Sequence, residues 1–114
     1  DPVIRQMYLM KFEATGFTVE TAENGKEGVA LVEKFIPDII LLDISMPVMN
    51  GDEALAAIRA ESWGKEIPVM ILTNLGEEEA PKTLRSLGIL SYIVKADLTP
   101  RQVVDRVKKA LGLS

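Results

Sequence analysis

The sequence predicts an α/β fold, a doubly wound parallel sheet with helices on both faces. Three observations point to it. Stretches with helical spacing of apolar residues alternate with short strand-like stretches from end to end. Two of the strands, in "DIILLD" and "IPVMILTN", are apolar on both faces, as central parallel strands are. Most of the helical stretches carry start or stop residues where a helix needs them. Alternation of this kind implies right-handed crossovers, and the crevice of such a sheet lies at the carboxyl ends of its strands.

The elements follow in order. "DPVIRQMYLMKFEATG" reads as a helix, with Asp1 as cap, Pro2 in the first turn and Gly16 beyond its end. Its apolar residues form two adjacent stripes, Val3, Met7, Met10 and Ala14 beside Ile4, Tyr8 and Phe12. "FTVETA" alternates apolar and polar residues, the pattern of a half-buried strand. "NGKEGVALVEKFI" is helical, with Val29, Val32 and Ile36 among its apolar positions, and Pro37 ends it. After the strand "DIILLD", "GDEALAAIRAE" is a helix that turns Leu55 and Ile58 inward. The strand "IPVMILTN" leads to a helix expected over Glu77 to Leu87, punctuated by Gly88. "LSYIVK" is the next strand. "TPRQVVDRVKKALG" closes the chain as a helix capped by Thr99, with Pro100 in its first turn, Val103, Val104, Val107 and Leu111 as its stripe, and Gly112 at its end.

Composition narrows the function. The chain has 114 residues, enough for one compact domain. Its net charge of -4 argues against direct binding to nucleic acid, which needs a basic surface. No cysteine and no histidine occur, which excludes disulfides, thiolate metal sites and every histidine-activated nucleophile. No apolar run is long enough to span a membrane, and a cytoplasmic location is the expectation. Chemistry must come from carboxylates, lysines and hydroxyls.

Three such groups stand at the carboxyl ends of the three most apolar strands: Asp43, Thr73 and Lys95. Parallel strands bring these ends to one edge of the sheet. A carboxylate serves as nucleophile or as metal ligand, a hydroxyl donates one hydrogen bond, and lysine is a compact charge suited to phosphate. Taken singly, each has a plainer role: Asp43 as a turn or cap residue, Thr73 as a strand former, Lys95 as a solvated strand end. The loop "MPVMNG" next to Asp43 turns tightly, and its carbonyls are oxygen donors of the kind a hard cation takes.

These segments resemble a known family. "IILLDISMPVMNG" is similar to the phosphoacceptor segment of the receiver domains of two-component response regulators. "VMILTN" resembles their threonine strand and "SYIVKA" their aromatic and lysine strand. The likeness runs through essentially the whole chain in one register. It implies a flavodoxin-like fold with strand order 2-1-3-4-5 and a single receiver domain over residues 1–114. It further implies that Asp43 takes a phosphoryl group from a histidine kinase or histidine phosphotransfer protein. Lys95 would neutralise the transferred group, Thr73 would hydrogen-bond to it, and Tyr92 would be the aromatic that rotates on activation. Asp43 and the backbone carbonyl of Ser45 would be ligands to a divalent cation, Mg²⁺. The result is a switch rather than an enzyme, signalling to an output domain or target protein, with homodimerisation left open.

The chain departs from the family at three places. Family members open with an apolar strand ending in two adjacent acidic residues that help hold the cation. Asp1 most resembles the residue just after that pair, so the expectation is an N-terminally truncated receiver, or one whose first strand comes from another segment. Asn74 replaces a very small residue, and Ala96 replaces the usual proline after the lysine. The alternative function is a degenerate receiver that binds partners without accepting phosphate. A hydrolase with an aspartyl nucleophile would want a second acid two residues beyond Asp43, where Ser45 stands.

Overall fold

The computed structural model describes residues 2–22, 24–43, 50–80 and 82–113, leaving aside the side chains of residues 2–5 and 77. Asp1, Ser45 and the "MPVM" part of the turn after Asp43 lie outside the described residues. The fold is α/β. Its elements are α1 (Pro2–Ala14), α2 (Gly25–Phe35), β1 (Ile40–Leu42), α3 (Gly51–Ala60), β2 (Val69–Thr73), α4 (Thr83–Ser86), β3 (Ser91–Val94) and α5 (Pro100–Ala110). The chain divides into two compact units, residues 21–95 and the pair of terminal segments 1–20 and 96–114.

Residues 21–95 hold the sheet. Its three strands lie in the order β1-β2-β3 and are parallel. Leu42 pairs with Ile71, and Thr73 pairs with Val94, so the carboxyl ends of all three strands fall along one edge. All five residues of β2 are buried, which accounts for its continuous apolar run. Leu42, Ala54, Leu55, Val69, Ile71 and Leu84 form the main core, with Val32, Ile58 and Ile67 as a second cluster. The inward placement of Leu55 and Ile58 is as expected. α2 packs beside α3 and is capped by Asn24, whose Oδ1 accepts from the Glu27 amide at 2.9 Å.

The terminal segments form a helix pair, α1 with α5. Phe12, Val103, Val104 and Val107 are buried there, and Phe12 meets Phe17 edge-on at 5.5 Å between ring centres. Thr99 and Gln102 form a reciprocal capping box at the start of α5. The Gln102 amide donates to Thr99 Oγ1 at 3.2 Å, and the Thr99 amide donates to Gln102 Oε1 at 2.8 Å. Of the two predicted stripes on α1, Phe12 is buried and Tyr8 half-buried, while Met7 and Met10 are exposed.

Two expectations need correction. "FTVETA" makes no strand: described residues 17–22 carry no ladder pairing. In the order 2-1-3-4-5 this segment would pair with the first strand, and among the described residues no strand lies beside it. The expected helix over Glu77 to Leu87 is broken into a 3₁₀ turn at Glu77–Glu79 and the four-residue α4. A proline at position 81 has no amide to complete a bond to the carbonyl of residue 77, so one continuous helix is disfavoured there.

Candidate functional site at the carboxyl edge of the sheet

Each predicted group stands where its strand ends. Asp43 follows β1 directly, Thr73 is the last residue of β2, and Lys95 follows β3 directly. β1 and β3 flank β2, so Asp43 and Lys95 start about 9.5 Å apart, two ladder spacings. The four-carbon stem of lysine bridges that gap across the end of β2. Lys95 Nζ lies 3.1 Å from Asp43 Oδ2, a hydrogen-bonded ion pair. It is partly open to solvent, with 19% of the Lys95 side chain and 30% of the Asp43 side chain exposed.

Thr73 is fully buried at 0% exposure. Its Oγ1 accepts from the Leu75 amide at 3.4 Å, a long and weak bond. By the two-residue period of a strand, Thr73 shares the sheet face of Val69 and Ile71. Tyr92, paired with Ile71, packs against the core of that same unit. Its hydroxyl donates to the Leu75 carbonyl at 3.0 Å and to the Gly76 carbonyl at 3.4 Å. Burial raises the Tyr92 pKa above its ordinary value, and the negative charges of Asp43 and Glu79 add to the rise.

The sequence-predicted set is therefore brought together in part. Asp43 and Lys95 touch, while Thr73 and Tyr92 are joined through the loop that follows β2. Ser45, the other predicted cation ligand, lies outside the described residues. Sequence reasoning did not single out the Leu75 and Gly76 carbonyls or the charge of Glu79. Backbone acceptors leave no mark in side-chain identity; Gly76 after the strand end was the only available signal. Among the described residues no group of three acidic side chains is placed to hold a metal ion, and Asp43 is the one carboxylate at this edge in contact with Lys95.

The family model described as the response regulator receiver domain matches residues 1–108. The transcriptional regulatory protein ResD of Bacillus subtilis is 38% identical over 108 residues, which is 95% of this chain and 43% of ResD. A protein-glutamate methylesterase/protein-glutamine glutaminase of Rhodospirillum rubrum is 38% identical over 117 residues, 87% of this chain and 31% of that protein. The chain thus spans less than half the length of these two relatives. Among solved structures, the chemotaxis response regulator CheY4 of Vibrio cholerae superimposes with a TM-score of 0.85 at 31% identity, covering 96% of this chain and 90% of CheY4. The receiver domain of the sensor histidine kinase PA1611 of Pseudomonas aeruginosa reaches 0.87 at 23% identity, covering 98% and 91%. That crystal structure has a magnesium ion coordinated in its active-site cleft.

Proposed function

The chain belongs to the response regulator receiver domain family, and on that premise we propose that Asp43 is its phosphoacceptor. The observation that carries the assignment is the Asp43–Lys95 pair at 3.1 Å, standing at the carboxyl edge beside the buried Thr73. A carboxylate oxygen of Asp43 attacks the phosphorus of a phosphohistidine on a partner. The P–O bond of an acyl phosphate forms as the P–N bond breaks, and the departing ring nitrogen keeps the electron pair of that bond. Lys95 already sits against the attacking group and balances the added negative charge. The Thr73 hydroxyl donates a hydrogen bond to the transferred group, and Tyr92 follows the loop that carries Leu75 and Gly76.

A divalent cation, when bound, neutralises charge on the transferring group. Asp43 would be its anionic donor, and the backbone carbonyl of Ser45 a second oxygen donor. In this reading the chain acts as a switch rather than as an enzyme in its own right. Its partners are a histidine kinase or phosphotransfer protein upstream and an output domain or target protein downstream. A net charge of -4 does not favour direct nucleic-acid contact. Among the described residues no helix is long and apolar enough to cross a membrane, and a cytoplasmic location suits a phosphohistidine partner.

The test is the intact mass of the chain after incubation with Mg²⁺ and a small-molecule phosphodonor, beside Asp43→Asn. Addition of one phosphoryl group to the wild type and none to the variant is the expected result. A folded wild type that gains no mass would overturn the assignment in favour of a receiver that binds without phosphorylation. Chelation of Mg²⁺ is expected to abolish the gain.

A further inference from the structure

The end of the β2–β3 pair opposite Asp43 is held by a different kind of contact. Arg59, in the last turn of α3, directs its guanidinium at three backbone carbonyls. Nε donates to Leu87 at 2.8 Å, Nη1 to Gly64 at 2.7 Å and Nη2 to Gly88 at 3.0 Å. Gly64 lies in the turn between α3 and β2, while Leu87 and Gly88 follow α4 and precede β3. One planar cation therefore joins the approaches to both strands. Its donors form a rigid fork, which a lysine ammonium does not reproduce. A cation at the end of α4 also suits the negative end of that helix and satisfies carbonyls left without helical partners.

The segment from Thr73 to Gly88 is thus tethered at both ends. At its start, the Tyr92 hydroxyl bonds to the carbonyls of Leu75 and Gly76. Tyr92 lies within the field of Asp43, so this tether senses the charge at that position. At its finish, the acceptors of Arg59 are backbone groups remote from Asp43. Leu84 is buried in the core between the two tethers, and Gly88 turns the chain at a φ of 81°. Only the first tether is addressed by chemistry at the carboxyl edge.

We propose that Arg59 is a positioning residue that pins the carboxyl end of α4, so that the rearrangement set off at Asp43 stops before the chain enters β3. The proposal rests on Asp43 as phosphoacceptor. With its far end pinned, the loop after β2 moves about a fixed point and the start of β3 keeps its register with β2.

Amide hydrogen exchange of the full chain, with and without phosphodonor and Mg²⁺, tests this. In the wild type, phosphorylation is expected to change exchange at residues 74–80 and leave the amides of Leu87, Gly88 and Leu90 within about twofold. In Arg59→Lys those three amides exchange about tenfold faster and become sensitive to phosphorylation, while rates in α2 and β2 stay as they were. A wild type that changes equally at both ends overturns the proposal, without need of the variant. So does an Arg59→Lys chain that matches the wild type at 87–90, or one whose exchange rises evenly throughout, which is loss of stability alone. The mass of the same sample separates the two levels. No phosphoryl gain means that the assignment of Asp43 has failed and the proposal with it, whereas a gain with equal change at both ends overturns the pin alone.

Discussion

The two edges of the sheet are built from different materials. At the carboxyl edge, Asp43 and Lys95 meet as partly exposed side chains, and the hydroxyls of Thr73 and Tyr92 bond to the following loop. At the amino edge, a guanidinium grips the main chain at three points. The Asp43–Lys95 pair keeps some contact with solvent, so its net contribution to stability is on the order of 1 kcal/mol. The carboxyl edge can therefore be rewired by one covalent change at little cost to the fold. The amino edge has acceptors that no modification of a side chain alters. Stability resides between them, in fully buried residues such as Leu55, Val69 and Ile71.

The largest expected effect tests the rigidity of the amino edge. A Cβ on Gly64 would collide with the backbone carbonyl of Ile58 and come within 2.7 Å of Ile58 Cγ2. Ile58 is itself buried and has nowhere to shift. Gly64→Ala is expected to cost about 3 kcal/mol, read as a fall in the urea midpoint. An unchanged midpoint would break the contrast between the edges. The next effect has the opposite sign. Ile36, which ends α2 ahead of β1, is a β-branched residue at a φ of 46° with an exposed side chain. Ile36→Gly removes a left-handed strain worth about 1 kcal/mol and gives up little packing, so the midpoint should rise.

These particulars also show what was legible in the sequence. Asp43, Thr73 and Lys95 could be found because strand period and strand ends are written in side-chain identity. α5 could be bounded because Thr99, Gln102 and Pro100 act locally. The segment "FTVETA" misled because alternation marks a surface that suits pairing, while pairing itself needs a neighbour. α4 misled because Glu77 to Leu87 has helical composition around a proline that interrupts the ladder. Arg59 and Gly64 were passed over for a shared reason. Their partners are carbonyls brought near by tertiary packing, at sequence separations of up to 29 residues, and neither residue type announces such an acceptor.

The smallest effect links the two hydroxyl tethers to the charge at the carboxyl edge. Tyr92→Phe removes the bonds to Leu75 and Gly76 and should cost about 1 kcal/mol near neutral pH. The Tyr92 pKa is raised in the folded chain by burial first, then by Asp43 and Glu79. The neutral phenol is thus favoured by folding. Its contribution is fully present below the unfolded pKa of about 10 and is lost as pH climbs through the higher folded value. Tyr8 is also raised by burial, so the wild type alone would mix two tyrosines. The difference in unfolding free energy between wild type and Tyr92→Phe isolates Tyr92, and it should shrink as pH rises above about 10. In an Asp43→Asn background one of the charges that raise this pKa is gone, so the folded value lies closer to the unfolded one and the decline should end at lower pH and be smaller. A decline that ignores Asp43 would mean that Tyr92 is held by burial alone, and that the carboxylate does not speak to the loop through this ring.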